Sequence, residues 1–358
     1  KGAMLRYLVL QFGQKAHMRN GYRWLCTPHI GKAQLWETSG HLDFFRDSMY
    51  APLGVDGEEY YLKPMNCPFH IGIYNSTLHS YRELPLRYAE YGTVYRYELS
   101  GALSGLTRVR GFTQDDAHIL CTPEQVGDEV ARALKFSLYV LRSFGLTVFK
   151  AYISTKPKGK AIGGDADWAA ATEVLMEAVR REGLSYEIDE GGGAFYGPKI
   201  DVKLYDALGR AWQCSTVQFD FNLPARFGMT YTGPDGKAHT PYMVHRALFG
   251  SIERFIALLI EHYGGDFPLW LAPVQLAVLP IAERHNAYCK KLERMLAGMD
   301  FRAEASYEDM NLREKIKRCE QQKVPLMLVV GDREAERGGF ALRSRKSGDL
   351  GFMTAEQL

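Results

Sequence analysis

Three groups of residues in this 358-residue sequence have the types and spacing to do chemistry. The first is a set of sulfur and imidazole donors. Cys67-x-x-His70 and His118-x-x-Cys121 each have the spacing of a metal-ligand pair, and together they would close a four-ligand structural zinc site. His245, in TPYMVHRALFG at the start of an expected long helix, is a further imidazole. With Cys67 and His118 it would make a three-ligand site that keeps one position open for substrate. Spacing alone leaves three readings standing: no metal, the closed site and the open site.

The second group is the arginine-rich stretch TVYRYELSGALSGLTRVRGFTQDDAHI. Its two arms read as strands joined by a long hairpin. Alternation along them would put Arg96 with Glu98, Arg108 and Arg110 with Phe112, and Gln114 with Asp116. A sheet face of guanidinium, carboxylate and aromatic groups suits an anionic, aromatic ligand such as a nucleotide. The planar fork of Arg grips phosphate and an aromatic ring stacks on a base. Surface ion pairs on an exposed hairpin would use the same residues. The third group is Glu253-Arg254 in GSIERFIALL, charges within an apolar stretch that must be either paired or functional. The cluster GGGAFYG lacks the spacing of a dinucleotide loop, and no G-x-x-x-x-G-K-[ST] or G-x-S-x-G is present.

The elements that must position these groups divide at GGDFPLWLAPVQ, giving expected domains 1–270 and 271–358. In the first, Thr122-Pro123-Glu124-Gln125 opens a helix whose apolar residues run from Val126 to Leu141 and which stops at Gly145. A second helix is expected from about Asp167 to Glu182. KIDVKLYD and AWQCSTVQFDF alternate as strands around a Leu208-Gly209-Arg210 turn. ALFGSIERFIALLIEHY reads as one long helix. This pattern predicts an α/β (α+β) fold, an antiparallel sheet with helices packed on it. In the second domain strand VQLAVLPIA, helix Arg284–Leu296, FRAEAS, a basic helix near Leu312, PLMLVVG and GFALRSR alternate, which predicts a smaller α/β domain with a mixed sheet.

Composition excludes several classes. Apolar residues at 46% are too many for a disordered chain. No apolar run approaches the roughly 18 residues of a membrane span. A net charge of +2 says nothing about nucleic acid, and the basic cluster Arg313, Lys315, Lys317, Arg318 and Lys323 fits a solvated helix face. Six scattered cysteines read as reduced thiols of a cytoplasmic protein. The opening KGAMLRYLVL has no initiator Met, so a piece of a larger protein is expected.

The wording and order of LWETSGH, LKPMNCPFH, RYELSGALSGLTRVRGFTQDDAHI, GAFYGPKIDV, AWQCSTVQFDF, HRALFGSIERFI and WLAPVQ resemble the class II aminoacyl-tRNA synthetases, the threonyl-tRNA synthetase family in particular. The resemblance implies a class II antiparallel sheet followed by an anticodon-binding domain, and an ATP-dependent threonine–tRNA ligase acting on L-threonine, ATP and tRNA(Thr). It implies one Zn2+ per subunit, held by Cys67, His118 and His245, and Mg2+ with ATP. It places GYRWLCTPHI as motif 1, with Pro28 at a homodimer interface, and implies no membrane. It assigns Arg96 to the α-phosphate, Glu98 and Phe112 to adenine, Arg108 to the γ-phosphate, and Arg254 to adenine and the γ-phosphate. Gln218 and Ser251 fall near the nucleotide. Gln114, Asp116, Tyr196 and Gln213 fall in the threonine pocket, with Lys199 on the carboxylate and phosphate side. His41 falls near the tRNA acceptor end, and Glu334, Arg343 and Arg345 fall in the anticodon domain. Phe69 stands where the family has Gly, and Asp309 and Lys317 replace its usual Asn and Arg. In this family a separate N-terminal domain usually clears mischarged serine; this sequence does not include one, which fits either its removal or a natural protein that relies on another.

Overall fold

The computed structural model describes residues 1–159, 161–205 and 209–358, so the Leu208 end of the expected turn lies outside the described residues. The chain divides into two units, Gly13–Leu259 and Lys1–Phe12 with Ile260–Leu358.

The first unit is built on an eight-stranded sheet. Its strands are β1 (Arg23–Trp24), β2 (Leu86–Tyr95), β3 (Gly111–Cys121), β4 (Phe149–Ser154), β5 (Tyr186–Asp189), β6 (Lys199–Tyr205), β7 (Ala211–Asp220) and β8 (Tyr242–Ser251). They are ordered β1-β2-β3-β8-β7-β6-β4-β5. All interior pairs are antiparallel, and only the edge pairs β1/β2 and β4/β5 are parallel.

Alternation separates two faces. On β3 the odd residues Thr113, Asp115, Ala117 and Ile119 are buried against helix, while Phe112, Gln114 and Asp116 are only half-buried on the other side. The helix Val126–Ser143 covers the first face with Val130, Leu134, Leu138 and Leu141. Each fully buried side chain of this kind contributes about 1.5–3 kcal/mol. Gly145, at φ 74°, ends it as expected. Gln125 supplies its half of the expected capping box: its side-chain amide oxygen accepts from the Thr122 N–H at 3.0 Å.

One expected element differs. ALFGSIERFIALLIEHY is not one helix: Tyr242–Ser251 is a central strand, and the helix begins at Ile252 and runs to Tyr263. The apolar residues of this strand are buried on both faces, so its sequence lacks the polar alternation that marks a half-exposed strand. His245 therefore sits mid-strand, not at a helix start. The hairpin also differs at its tip. Arg96, Glu98, Arg108 and Arg110 lie beyond the ends of β2 and β3, so strand alternation does not govern them.

The second unit carries a mixed sheet. Its strands are β9 (Leu276–Pro280), β10 (Ala303–Ala305), β11 (Leu326–Val330), β12 (Phe340–Ser344) and β13 (Gly348–Met353), ordered β10-β9-β11-β12-β13. β9 pairs parallel on both sides, and the last three strands are antiparallel. β9 is apolar throughout because it is sandwiched: Leu276 and Val278 pack with Cys289, Leu292 and Leu296, while Ala277 and Leu279 pack with Cys319 and Met327. The basic helix Leu312–Gln321 starts on a capping box of Asn311 and Glu314. Its charges are partly structural, since Lys315 is buried and donates to the Pro280 carbonyl at 3.0 Å. Among the described residues no helix is long and apolar enough to cross a membrane.

Candidate active site and metal centre

Cys67, His118 and His245 come from a helix and two adjacent strands. Cys67 opens the helix Cys67–Asn75. His118 on β3 and His245 on β8 stand directly opposite each other in the ladder. The ligand atoms of all three lie within 4.8 Å of one another and all three residues are buried. His118 Nε2 and His245 Nδ1 are 3.1 Å apart. Two nitrogens at about 2.0–2.1 Å from a tetrahedral zinc would be separated by roughly 3.3 Å. The closed four-ligand site does not form. Three residues along a strand reverse the face, so Cys121 points away from His118 and contacts the Tyr242 carbonyl. His70 approaches the back of the His118 ring instead, Nδ1 to Nδ1 at 2.8 Å.

The donor set fits a zinc ion. Burial, followed by the carboxylates of Asp116 and Asp220, pushes the Cys67 thiol well up, so only a cation would hold it as thiolate. Burial, with the neighbouring His70 and His245, pushes His118 well down and leaves its imidazole neutral, the form that ligates. His245 Nε2 lies 2.8 Å from Asp220 Oδ2, the kind of carboxylate support that zinc-bound imidazoles carry.

These three residues line a cavity of about 470 Å3 together with Arg96, Gln114, Asp116, Tyr196, Lys199, Gln213 and Gln218. Gln114 and Asp116 share the face of His118 on β3. Gln213 reaches the same face as Gln218 only because the register of β7 against β6 slips between Gln213 and Ser215. Lys199 pairs with Asp201 at 2.7 Å, and Asp201 in turn accepts from Gln213 at 2.5 Å and from Thr216 at 2.9 Å. Tyr196 stacks on the His245 ring at 4.7 Å and donates to Gln218. Asn66 donates to Asp116 at 2.9 Å, and Gly92 on β2, opposite Gln114, leaves it room, since a Cβ there would meet the Asn66 amide at 2.3 Å.

At the hairpin side of the cavity Arg96 lies 5.2 Å from the Phe112 ring centre and 5.5 Å from that of Phe45, and its Nε donates to the Pro64 carbonyl. Arg254 donates to the carbonyls of Thr107 at 3.0 Å and Gln213 at 3.2 Å, bridging hairpin and cavity wall. Glu253, its neighbour, is paired: one oxygen accepts from the Thr113 N–H and the Ser251 hydroxyl. Arg108 is half exposed and 3.9 Å from Glu98, a geometry worth little by itself. Gly250, at φ 71°, shapes the bulge that sets Ser251 opposite Gln114, and Asp115 accepts from the N–H groups of Leu248 and Phe249 inside it.

Other expected residues do not line the cavity. His41 is fully buried; its nitrogens meet Ser39 Oγ at 2.7 Å and Met65 Sδ at 3.1 Å. In the second unit Glu334 accepts from the Gly331 N–H, Arg343 lies 3.7 Å from Glu320, and Arg345 pairs with Asp266. Phe69 packs edge-on against Trp36. Sequence reasoning missed Asp220, Glu90, Asn66 and Asp115; for Glu90 alternation on the facing strand was the available signal, since it stands opposite Asp116.

Residues 54–263 match the model of the tRNA synthetase class II core domain (G, H, P, S and T), and residues 275–358 match that of the anticodon binding domain. The chain belongs to the class II aminoacyl-tRNA synthetases. Its class II relatives include the threonine–tRNA ligase of Aquifex aeolicus (strain VF5), 54% identical over 99% of this chain and 55% of that protein. The crystal structure of the RNA binding domain of threonyl-tRNA synthetase from Cryptosporidium parvum Iowa II superimposes with a TM-score of 0.95, at 40% identity, over 99% of this chain and 89% of that one. Giardia lamblia prolyl-tRNA synthetase shares the class II fold at 16% identity and a TM-score of 0.72, over 96% of this chain and 67% of that one. The chain spans about half the length of the curated relatives it matches.

Proposed function

We propose that this chain activates L-threonine with MgATP and passes the threonyl group to the 3′-terminal adenosine of tRNA(Thr). The observation that carries the reading is the convergence of Cys67, His118 and His245 at one end of a cavity that also holds Arg96, Lys199 and Gln114. In this reading the threonine carboxylate attacks the α-phosphorus of ATP, forming the adenylate and releasing pyrophosphate. No side-chain nucleophile is required. Arg96 sets its guanidinium against carboxylate and α-phosphate, Phe112 and Arg254 flank adenine, Glu98 accepts from its amino group, and Arg108 and Arg254 meet the γ-phosphate. Lys199 neutralises the carboxylate side, while Asp116 and Gln114 receive the amino group and Tyr196 and Gln213 close the pocket wall. Cys67, His118 and His245 would hold a zinc ion, which would supply a Lewis-acid position for threonine's amino nitrogen and β-hydroxyl that valine's methyl could not fill. A site that engages a hydroxyl rejects its absence by 10⁴–10⁵, roughly, where an apolar pocket manages about 10². Serine keeps the hydroxyl and loses one methyl, so the pocket discriminates against it by only about 10–200-fold. A homodimer through the segment around Pro28, tRNA contacts by Glu334, Arg343 and Arg345, and a cytoplasmic location belong to the same reading, whereas buried His41 is not free to touch tRNA.

ATP–pyrophosphate exchange tests it. Exchange should depend on threonine, fall by at least about 10³ with valine and survive in part with serine. Cys67→Ser should lose zinc and raise the threonine KM at least tenfold, roughly, while ATP affinity holds. An unchanged threonine KM in the zinc-free variant would refute the ligand assignment.

A further inference from the structure

Behind the His118 ring lies a buried chain of polar groups for which the proposed reaction has no use. His118 Nδ1 is 2.8 Å from His70 Nδ1, and the buried His70 Nε2, which makes no aligned hydrogen bond, faces Glu90 Oε1 at an ion-pair distance of 3.3 Å. Glu90 also accepts from the Thr27 N–H at 3.0 Å and the Thr27 hydroxyl at 2.7 Å, and Lys63 Nζ stands 3.6 Å away. Lys63 itself donates to the Thr27 hydroxyl at 2.9 Å. His70, Glu90 and Lys63 are each at most 3% exposed. The chain thus runs from a ligand imidazole, through β2, to the segment just before Pro28.

Its direction follows from valence. A neutral imidazole that gives the Nε2 lone pair to a cation carries its proton on Nδ1. His118 Nδ1–H must then donate, so His70 must present a bare Nδ1. The proton of His70 stands on Nε2 and faces Glu90, a carboxylate that can only accept. Both imidazoles lead to carboxylates: His245 to Asp220 through a direct hydrogen bond, and His118 to Glu90 by way of His70 through a longer last contact.

We propose that His70 and Glu90 are positioning residues of the metal centre. Glu90 holds His70 in the single tautomer that accepts from His118, and His70 thereby fixes the His118 ring with Nε2 turned toward the ion. Through Thr27 the same contacts join that orientation to the chain segment before Pro28. The proposal rests on the zinc reading above.

Cobalt(II) titration of the metal-free full chain tests it, with affinity read by chelator competition and geometry by the d–d bands. The unsubstituted chain should bind one equivalent with a thiolate charge-transfer band. His70→Leu and Glu90→Gln should each weaken binding by about 10–100-fold and shift the d–d bands. His70→Asn keeps an acceptor beside His118 and has no ring proton to misplace, so it should restore affinity, and adding Glu90→Gln to it should change nothing further. A residue that merely packs the core would lower the unfolding midpoint without that non-additivity. Unaltered affinity and bands in His70→Leu and Glu90→Gln, or an equal effect of Glu90→Gln in both backgrounds, would overturn the proposal. If His70→Leu does not fold, His70→Asn and Glu90→Gln decide between the same outcomes. Failure of the zinc reading looks different: the unsubstituted chain would bind no cobalt, and the proposal would fall with it.

Discussion

At the scale of single residues, burial decides which ionisable groups this protein can use. His41 is enclosed by Trp36, Phe45 and Phe195, and burial, followed by Arg96, pushes its imidazole down to about 3. An unfolded chain takes up that proton near pH 6.5, whereas the folded chain does not. Stability from His41 is therefore complete above about pH 7 and is lost as pH falls, by about 2 kcal/mol between pH 7 and pH 5. Urea unfolding at the two pH values should show His41→Gln with a pH dependence smaller by that amount; an identical dependence would mean that the imidazole is charged in the fold. The resemblance assigned this residue to tRNA, yet its nitrogens are spent on Ser39 and Met65. A motif match carries a residue's identity, and only packing shows whether it is accessible.

At the scale of elements, irregularities in two strands do as much as the strands themselves. The slip at Gln213/Ser215 brings Gln213 to the cavity, and the bulge at Leu248–Gly250 carries the chain into its helix with Ser251 opposite Gln114. Gly250→Ala would force a side chain into the left-handed region with its Cβ 2.7 Å from the Cys214 carbonyl. It should cost about 1–3 kcal/mol in denaturant unfolding and lower exchange activity through a displaced Ser251 and Arg254. Full activity at unchanged stability would show that the bulge can move. These features also mark where the sequence was readable. Amphipathic Val126–Ser143 and the strands around β7 announced themselves through period, because one side of each faces something different from the other. β8 gave no such contrast, being buried on both faces, and so its apolar run merged with the helix that follows it. The ligands were legible only as an ambiguous set of thiols and imidazoles. Face reversal between His118 and Cys121 resolves that ambiguity, but it needs the strand assignment first. Asp115 and Asp220 were illegible, since their partners are backbone groups and a histidine far away in sequence.

At the scale of the whole molecule, two units carry separable tasks in the proposed reaction, and Arg343 separates them experimentally. It lies on β12 of the anticodon-binding domain, more than a third exposed and only loosely paired with Glu320. Arg343→Ala should reduce tRNA charging and lower the salt slope of tRNA binding by about 1, with threonine-dependent exchange unchanged. Equal losses in charging and exchange would mean that this residue acts on the core. The candidate cation site has a reach of its own at this scale. It gathers a helix and two strands whose imidazoles alone are 127 positions apart. An ion seated there would work as a reversible cross-link between distant stretches of the chain, adding about 4 kcal/mol at a thousandfold excess over its dissociation constant. Chelation would then soften the entire synthetase core and expose it to proteases, so the abundance of the protein, and not its turnover alone, would follow the supply of the ion.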